Sequence, residues 1–201
     1  FAPDTLGKPK ALADEVTGKL TDTNWLWHDQ VLYVNQGNSI TCLGSRKQTG
    51  NWGRINITYK DTPEDQASVF RAWLEHTDGQ FAYTVFPNVS VENAANLAAS
   101  TQVQVVSQTE TALAVYHRDQ RLGMAICLEP TTVQFNDQWT VAVDQPVALV
   151  LRDLGEKTAR ISLSSLTQMD QEVVLTVNGQ SQTIALPQGQ QAGQAVALHW
   201  D

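Results

Sequence analysis

The sequence predicts an all-β protein, with antiparallel β-sandwich units in tandem and one short connecting helix. Three observations carry this reading. Apolar and polar residues alternate with period two almost throughout, most plainly at Ile55-Asn56-Ile57-Thr58-Tyr59 and Leu113-Ala114-Val115-Tyr116, as half-buried antiparallel strands require. Many short runs of this kind, separated by polar breaks, are the pattern of a sandwich. Only one stretch, from Ser90 to Ala99, has helical character.

In chain order, the first half holds strands over 25–29, 30–34, 39–43, 52–59, 68–76 and 80–86. The helix follows Pro87, with Ser90 as its capping residue. Val91, Ala94, Ala95 and Ala98 fall on one side of it. It ends where alternation resumes at Thr101. The second half continues with strands over 102–107, 112–117, 122–128, 131–135, 139–143 and 147–152, then 159–164, 172–177, 182–186 and 195–200. Asn178-Gly179 supplies the two positive φ angles of a type I′ turn, so 172–186 is expected to be a hairpin. Four of the six tryptophans (Trp25, Trp27, Trp52 and Trp73) precede the helix, whereas the part after it is richer in Gln, Thr, Ser and Val. The composition therefore places two β units, joined near residue 100.

The chain has 201 residues, of which 42% are hydrophobic, enough to build a core rather than remain disordered. Its formal net charge of −8 argues against a nucleic-acid partner, which needs a basic surface. No apolar run reaches the roughly 18 residues of a membrane span. A start at Phe1-Ala2-Pro3-Asp4 suggests numbering that begins inside a longer gene product. Cys42 and Cys127 lie far apart in apolar runs and form no CxxC motif, so two separate buried thiols are expected.

Catalytic motifs are scarce. His28, His76, His117 and His199 have no second ligand at metal-binding spacing, and no cofactor or metal is implied. His28-Asp29 offers a carboxylate, but adjacent strand residues point to opposite faces. Gly37-Asn38-Ser39-Ile40-Thr41 lacks the second glycine of a nucleophile elbow. No residue here is assigned a catalytic role. The candidate carbohydrate-binding residues are Trp25, Trp27 and Trp52. Trp25 and Trp27 share a face of one strand, which suits either a sugar-stacking platform or the core of a sandwich. Trp52, after Gly50-Asn51, stands at a strand start where exposure is expected.

Several segments carry a resemblance. Trp25-Leu26-Trp27-His28-Asp29-Gln30-Val31-Leu32-Tyr33 is similar to the W–x–H–D–(G)–V–x–Y strand pair of polysaccharide lyase family 8, with Gln30 in place of the usual glycine. That family contains hyaluronate, chondroitin and xanthan lyases. Thr49-Gly50-Asn51-Trp52-Gly53-Arg54-Ile55-Asn56 resembles its tGxWxxIN segment. His76-Thr77-Asp78-Gly79 stands where a D-H-G sequence is usual, and Gln80 to Asn88 resembles the YaYvvfPn strand. The likeness continues through the helical connector to Thr101–Val106, the entry to the family's C-terminal domain.

The resemblance implies that 1–100 is the end of the central super-sandwich domain and 101–201 the C-terminal β-sandwich domain. It further implies an extracellular or periplasmic enzyme that cleaves uronic-acid-containing polysaccharides by β-elimination. In such an enzyme the catalytic Asn, His, Tyr and Arg lie on an N-terminal helical domain, the partner of this portion. None of them maps onto a position here, and the acidic charge agrees with a polyanion held elsewhere. Two alternatives stay open: a stand-alone carbohydrate-binding module using the three tryptophans, and a structural or adhesive tandem β-sandwich.

Overall fold

In a computed structural model the described residues are 2–3, 9–10, 16–20, 23–37, 39–100, 102–155, 158–169 and 172–201. The chain divides into two compact units, residues 1–100 and 101–201. The antiparallel all-β expectation holds in both.

Unit 1 contains β1 (Ala2–Pro3), β2 (Pro9–Lys10), β3 (Val16–Leu20), β4 (Trp25–His28), β5 (Val31–Asn35), β6 (Ile40–Gly50), β7 (Asp65–Glu75) and β8 (Tyr83–Phe86), followed by α1 (Val91–Ala99). β1 pairs with β2, while β3-β6-β7 and β4-β5-β8 form separate three-stranded sheets. Period two gives β4 and β5 one face with Trp25, Leu32 and Val34, and these pack against Ala94 and Ala98 of α1. The other face carries Leu26, His28 and Tyr33 toward the second sheet, where His28 stacks on Phe70 of β7 at 4.0 Å. Unit 1 is thus layered as helix, sheet and sheet.

Ser90 occupies the N-cap position in extended conformation, but its side chain makes no capping bond to the helix backbone. Hydrogen bonds from its own backbone N–H and from the Ser90 hydroxyl hold the Glu92 carboxyl below the usual carboxylate range. The strand expected over 52–59 is instead two 3₁₀ turns, Trp52–Arg54 and Ile57–Tyr59, at the tip of the β6–β7 hairpin. Asn51 and Asn56 explain the difference. Their side-chain oxygens accept from the backbone N–H groups of Gly53 and Thr58, drawing the chain out of extended geometry. Around them β6 and β7 run longer than expected, with eleven paired positions from Ile40↔Glu75 to Gly50↔Asp65.

His28 pairs with Val31 across a two-residue turn in which Asp29 and Gln30 have φ of 44° and 64°. This is the type I′ pattern, which favours glycine second. A non-glycine residue in that region costs about 1–2 kcal/mol. Gln30→Gly is therefore expected to stabilise unit 1 by about 1 kcal/mol, read as a rise in its urea midpoint. An unchanged or lowered midpoint would contradict the turn.

Unit 2 contains β9 (Val103–Gln108), β10 (Ala112–His117), β11 (Leu122–Cys127), β12 (Thr131–Asn136), β13 (Trp139–Val143), β14 (Val147–Arg152), β15 (Ala159–Ser165), β16 (Glu172–Val177), β17 (Gln180–Ala185) and β18 (Val196–Trp200). A six-stranded sheet ordered β18-β15-β14-β11-β10-β9 packs on a four-stranded sheet ordered β12-β13-β16-β17. The hairpin at Asn178-Gly179 forms as expected, with φ of 50° and 84° and Val177 opposite Gln180. Inward residues of both sheets, among them Phe135, Trp139, Leu149, Ile161 and Leu175, form one continuous core. Gly123 makes room within it, because a methyl group there would lie 2.7 Å from the Phe135 ring.

Candidate functional site

The three tryptophans singled out by sequence do not come together. Trp25 is 5% exposed and lies in the core beneath α1, so its ring has no face left for a sugar. Trp27 is half-buried on the same face, and its indole N–H donates to the Val89 carbonyl at 2.7 Å. Both serve the core reading of their shared face, and large buried area is the physical reason. Trp52 is 63% exposed, though it opens a 3₁₀ turn rather than a strand.

Around Trp52 the β6–β7 tip is braced from within. Asn51 donates to the Thr62 carbonyl and accepts from Gly53 N at 2.5 Å, while Arg54 pairs with Glu64 at 2.8 Å. None of the residues in its two 3₁₀ turns is buried, and Ile55 and Ile57 are 80% and 79% exposed. The tip is therefore an ordered loop that carries large apolar side chains into solvent.

Between the two sheets of unit 1 lies a cavity of about 290 Å³, with Leu26, Tyr33, Thr41, His76, Phe81 and Tyr83 among its walls. It is aromatic and holds no carboxylate, lysine or arginine. His76 stacks with Phe81 at 5.1 Å. Asn35, which also borders it, donates to the Ser39 carbonyl at 2.6 Å and to the Thr41 hydroxyl at 3.2 Å. Its side-chain oxygen accepts from Gly37 N and from the Ser39 hydroxyl. Asn35 thus closes the β5–β6 connection and has little capacity left for a ligand.

A general acid–base pair needs two titratable groups within reach of one substrate atom; Tyr33, His76 and Tyr83 are the titratable side chains on the walls of this cavity. His28 stacks on Phe70, and His117 accepts at its Nδ1 from Gln120 N at 3.4 Å. Among the described residues no group of three or more His, Cys, Asp or Glu is placed to hold a metal. Cys42 and Cys127 are free and buried, as the sequence suggests. Burial raises the pKa of both thiols, with the Glu75 carboxylate adding to the effect at Cys42. Neither is an activated nucleophile at neutral pH. No helix among the described residues is long and apolar enough to cross a membrane.

Fold and site together define a tandem antiparallel β protein whose first unit is rich in aromatic residues. Residues 5–98 match the super-sandwich domain of polysaccharide lyase family 8, and residues 104–174 match that family's C-terminal β-sandwich domain. The chain belongs to polysaccharide lyase family 8. It is 26% identical over 185 residues to chondroitinase-AC of Pedobacter heparinus, covering 87% of this chain and 26% of that protein. Among solved structures, a chondroitinase AC lyase superposes with a TM-score of 0.81 at 24% identity, over 94% of this chain and 29% of that one. A Paenibacillus xanthan lyase gives 0.77 at 17% identity, over 96% of this chain and 21% of that one. The chain spans about a quarter of the length of these relatives.

Proposed function

We propose that this chain is the C-terminal, non-catalytic β-sandwich portion of a lyase that cleaves uronic-acid-containing polysaccharides of hyaluronan, chondroitin or xanthan type. The observation that carries the reading is the ordered match of both units to two family-8 domains, within a chain spanning about a quarter of its relatives. In this reading the chemistry belongs to another part of the polypeptide. That part is an N-terminal helical domain acting on an extracellular or periplasmic polymer.

The β-elimination asks for three things. The uronate carboxylate is neutralised so that C5 becomes acidic, a base removes the C5 proton, and an acid protonates the departing glycosidic oxygen. The C5–H and C4–O bonds break as the C4–C5 double bond forms. In this reading the two β units position the helical domain and border the polymer.

The test is an absorbance assay for unsaturated uronate on chondroitin sulfate, hyaluronan and xanthan. The 201 residues alone are expected to give no product, while a polypeptide that includes the helical domain is expected to turn over one of the polymers. Robust activity from the 201 residues by themselves would overturn the assignment.

A further inference from the structure

The outer face of the β3-β6-β7 sheet presents an aromatic and cationic strip that the net charge conceals. Strand register assigns its side chains. Cys42 is paired with Lys19 on one side and Trp73 on the other, Gly44 with Thr17 and Arg71, and Arg46 with Val69. Paired residues share a face, and every second residue along a strand returns to it. Trp73, Arg71 and Arg46 therefore stand together, while Phe70 and Thr41 point the opposite way, toward the second sheet.

Trp73 is held in place. A methyl group on Gly44 would sit 3.4 Å from its indole ring, so the ring lies over the bare β6 backbone and buries it. The Glu75 carboxylate is hydrogen-bonded to Trp73 and to the Cys42 thiol, and is itself ion-paired with Lys19. That pairing compensates the carboxylate at this end of the strip. Trp73 remains 38% exposed. Beside it Arg71 and its diagonal neighbour Arg46 are exposed, and among the described residues neither has an ion-pair partner. The stretch 46–71 carries five cations against three carboxylates, in a chain of net charge −8.

We propose that Trp73, Arg71 and Arg46 form an accessory binding strip for a uronate-bearing polysaccharide chain. The indole complements the C–H face of a pyranose ring, and the two guanidinium groups offer planar forks to carboxylate or sulfate oxygens. The ligand class rests on the lyase reading above, whereas the location rests on register and charge within this chain. The strip differs from the candidate set Trp25, Trp27 and Trp52, which lies elsewhere in unit 1.

The experiment titrates the 201-residue chain with size-fractionated chondroitin sulfate, hyaluronan and uncharged dextran at several salt concentrations, with tryptophan fluorescence as a second readout. Saturable binding of both polyanions is expected, weakening as salt rises, with none for dextran. Arg71→Gln and Arg46→Gln should each weaken binding about tenfold. Lys47→Gln makes the same charge change one residue along, on the opposite face, and should leave affinity within about twofold. Absence of binding would overturn the proposal. Equal losses in Lys47→Gln and Arg46→Gln would also overturn it, by reducing the effect to overall charge. Binding of chondroitin sulfate without hyaluronan would overturn the uronate and assign a sulfate site. None of these results bears on the activity assay of the longer polypeptide, so the two readings fail separately.

Discussion

Trp139→Ala is expected to destabilise unit 2 by about 3–5 kcal/mol, the range for truncating a buried aromatic side chain. Trp139 is among the largest side chains fully buried in the protein, and it opens β13 in the core between the two sheets. Its indole N–H donates to the Gly155 carbonyl at 2.8 Å, tying the four-stranded sheet to the segment after β14. The backbone beside it is fixed as well, since Asn136 Oδ1 accepts from the N–H groups of Gln138 and Trp139, both at 2.9 Å. Truncation leaves a cavity and strands the Gly155 carbonyl together. Trp139→Phe separates the two effects, because it refills most of the volume while leaving that carbonyl unpaired, at about 1–3 kcal/mol. Urea unfolding followed by circular dichroism measures both. A loss below about 1 kcal/mol in Trp139→Ala would show that the core closes around the gap.

The parts of the fold legible in the sequence are those that local backbone chemistry decides. Asn178-Gly179 carries its own turn type, and the hairpin is there. The alternating runs of unit 2 read directly as strands because one face of each is buried against the opposite sheet. The segment 52–59 shows where this logic fails. Ile55, Ile57 and Tyr59 alternate like a strand, yet they are exposed, and the side chains of Asn51 and Asn56 decide the local geometry. β3 is not legible as a strand because Val16-Thr17-Gly18-Lys19-Leu20 has glycine and lysine where packing side chains are usual. Gln30 reads as a departure from the family's glycine, and the positive φ at that position gives the departure its physical meaning.

The Trp73 strip was the least legible feature. Its members lie on strands separated by the whole tip loop, and only the register Gly44↔Arg71 brings them to one face. Summed charge works against it, since −8 averages over a local excess of cations between 46 and 71. Taken over the whole chain, that charge assigns the polyanion to another domain. Register modifies this division. The proposed strip on β6 and β7 would add a contact to the polymer beside the grip assigned to the helical domain.

Trp25→Ala and Trp52→Ala should part company sharply, although both residues look alike as candidate sugar platforms in the sequence. Trp25 packs with Leu32, Val34, Val89, Ala94 and Ala98, so its loss uncouples the β4-β5-β8 sheet from α1. The expected destabilisation of unit 1 is about 3–5 kcal/mol, enough to consume a large part of a typical domain's 5–15 kcal/mol. Trp27 strengthens the same seam from a half-buried position, and Trp27→Phe should cost about 1 kcal/mol through the lost bond to Val89. Trp52 stands on the solvent side of the 3₁₀ tip, and its removal should stay within about 0.5 kcal/mol. Urea midpoints of the three variants give the comparison directly. A large stability loss in Trp52→Ala would mean that the tip folds back onto the protein in solution. A negligible loss in Trp25→Ala would return Trp25 to the surface and reopen its role as a sugar-stacking residue.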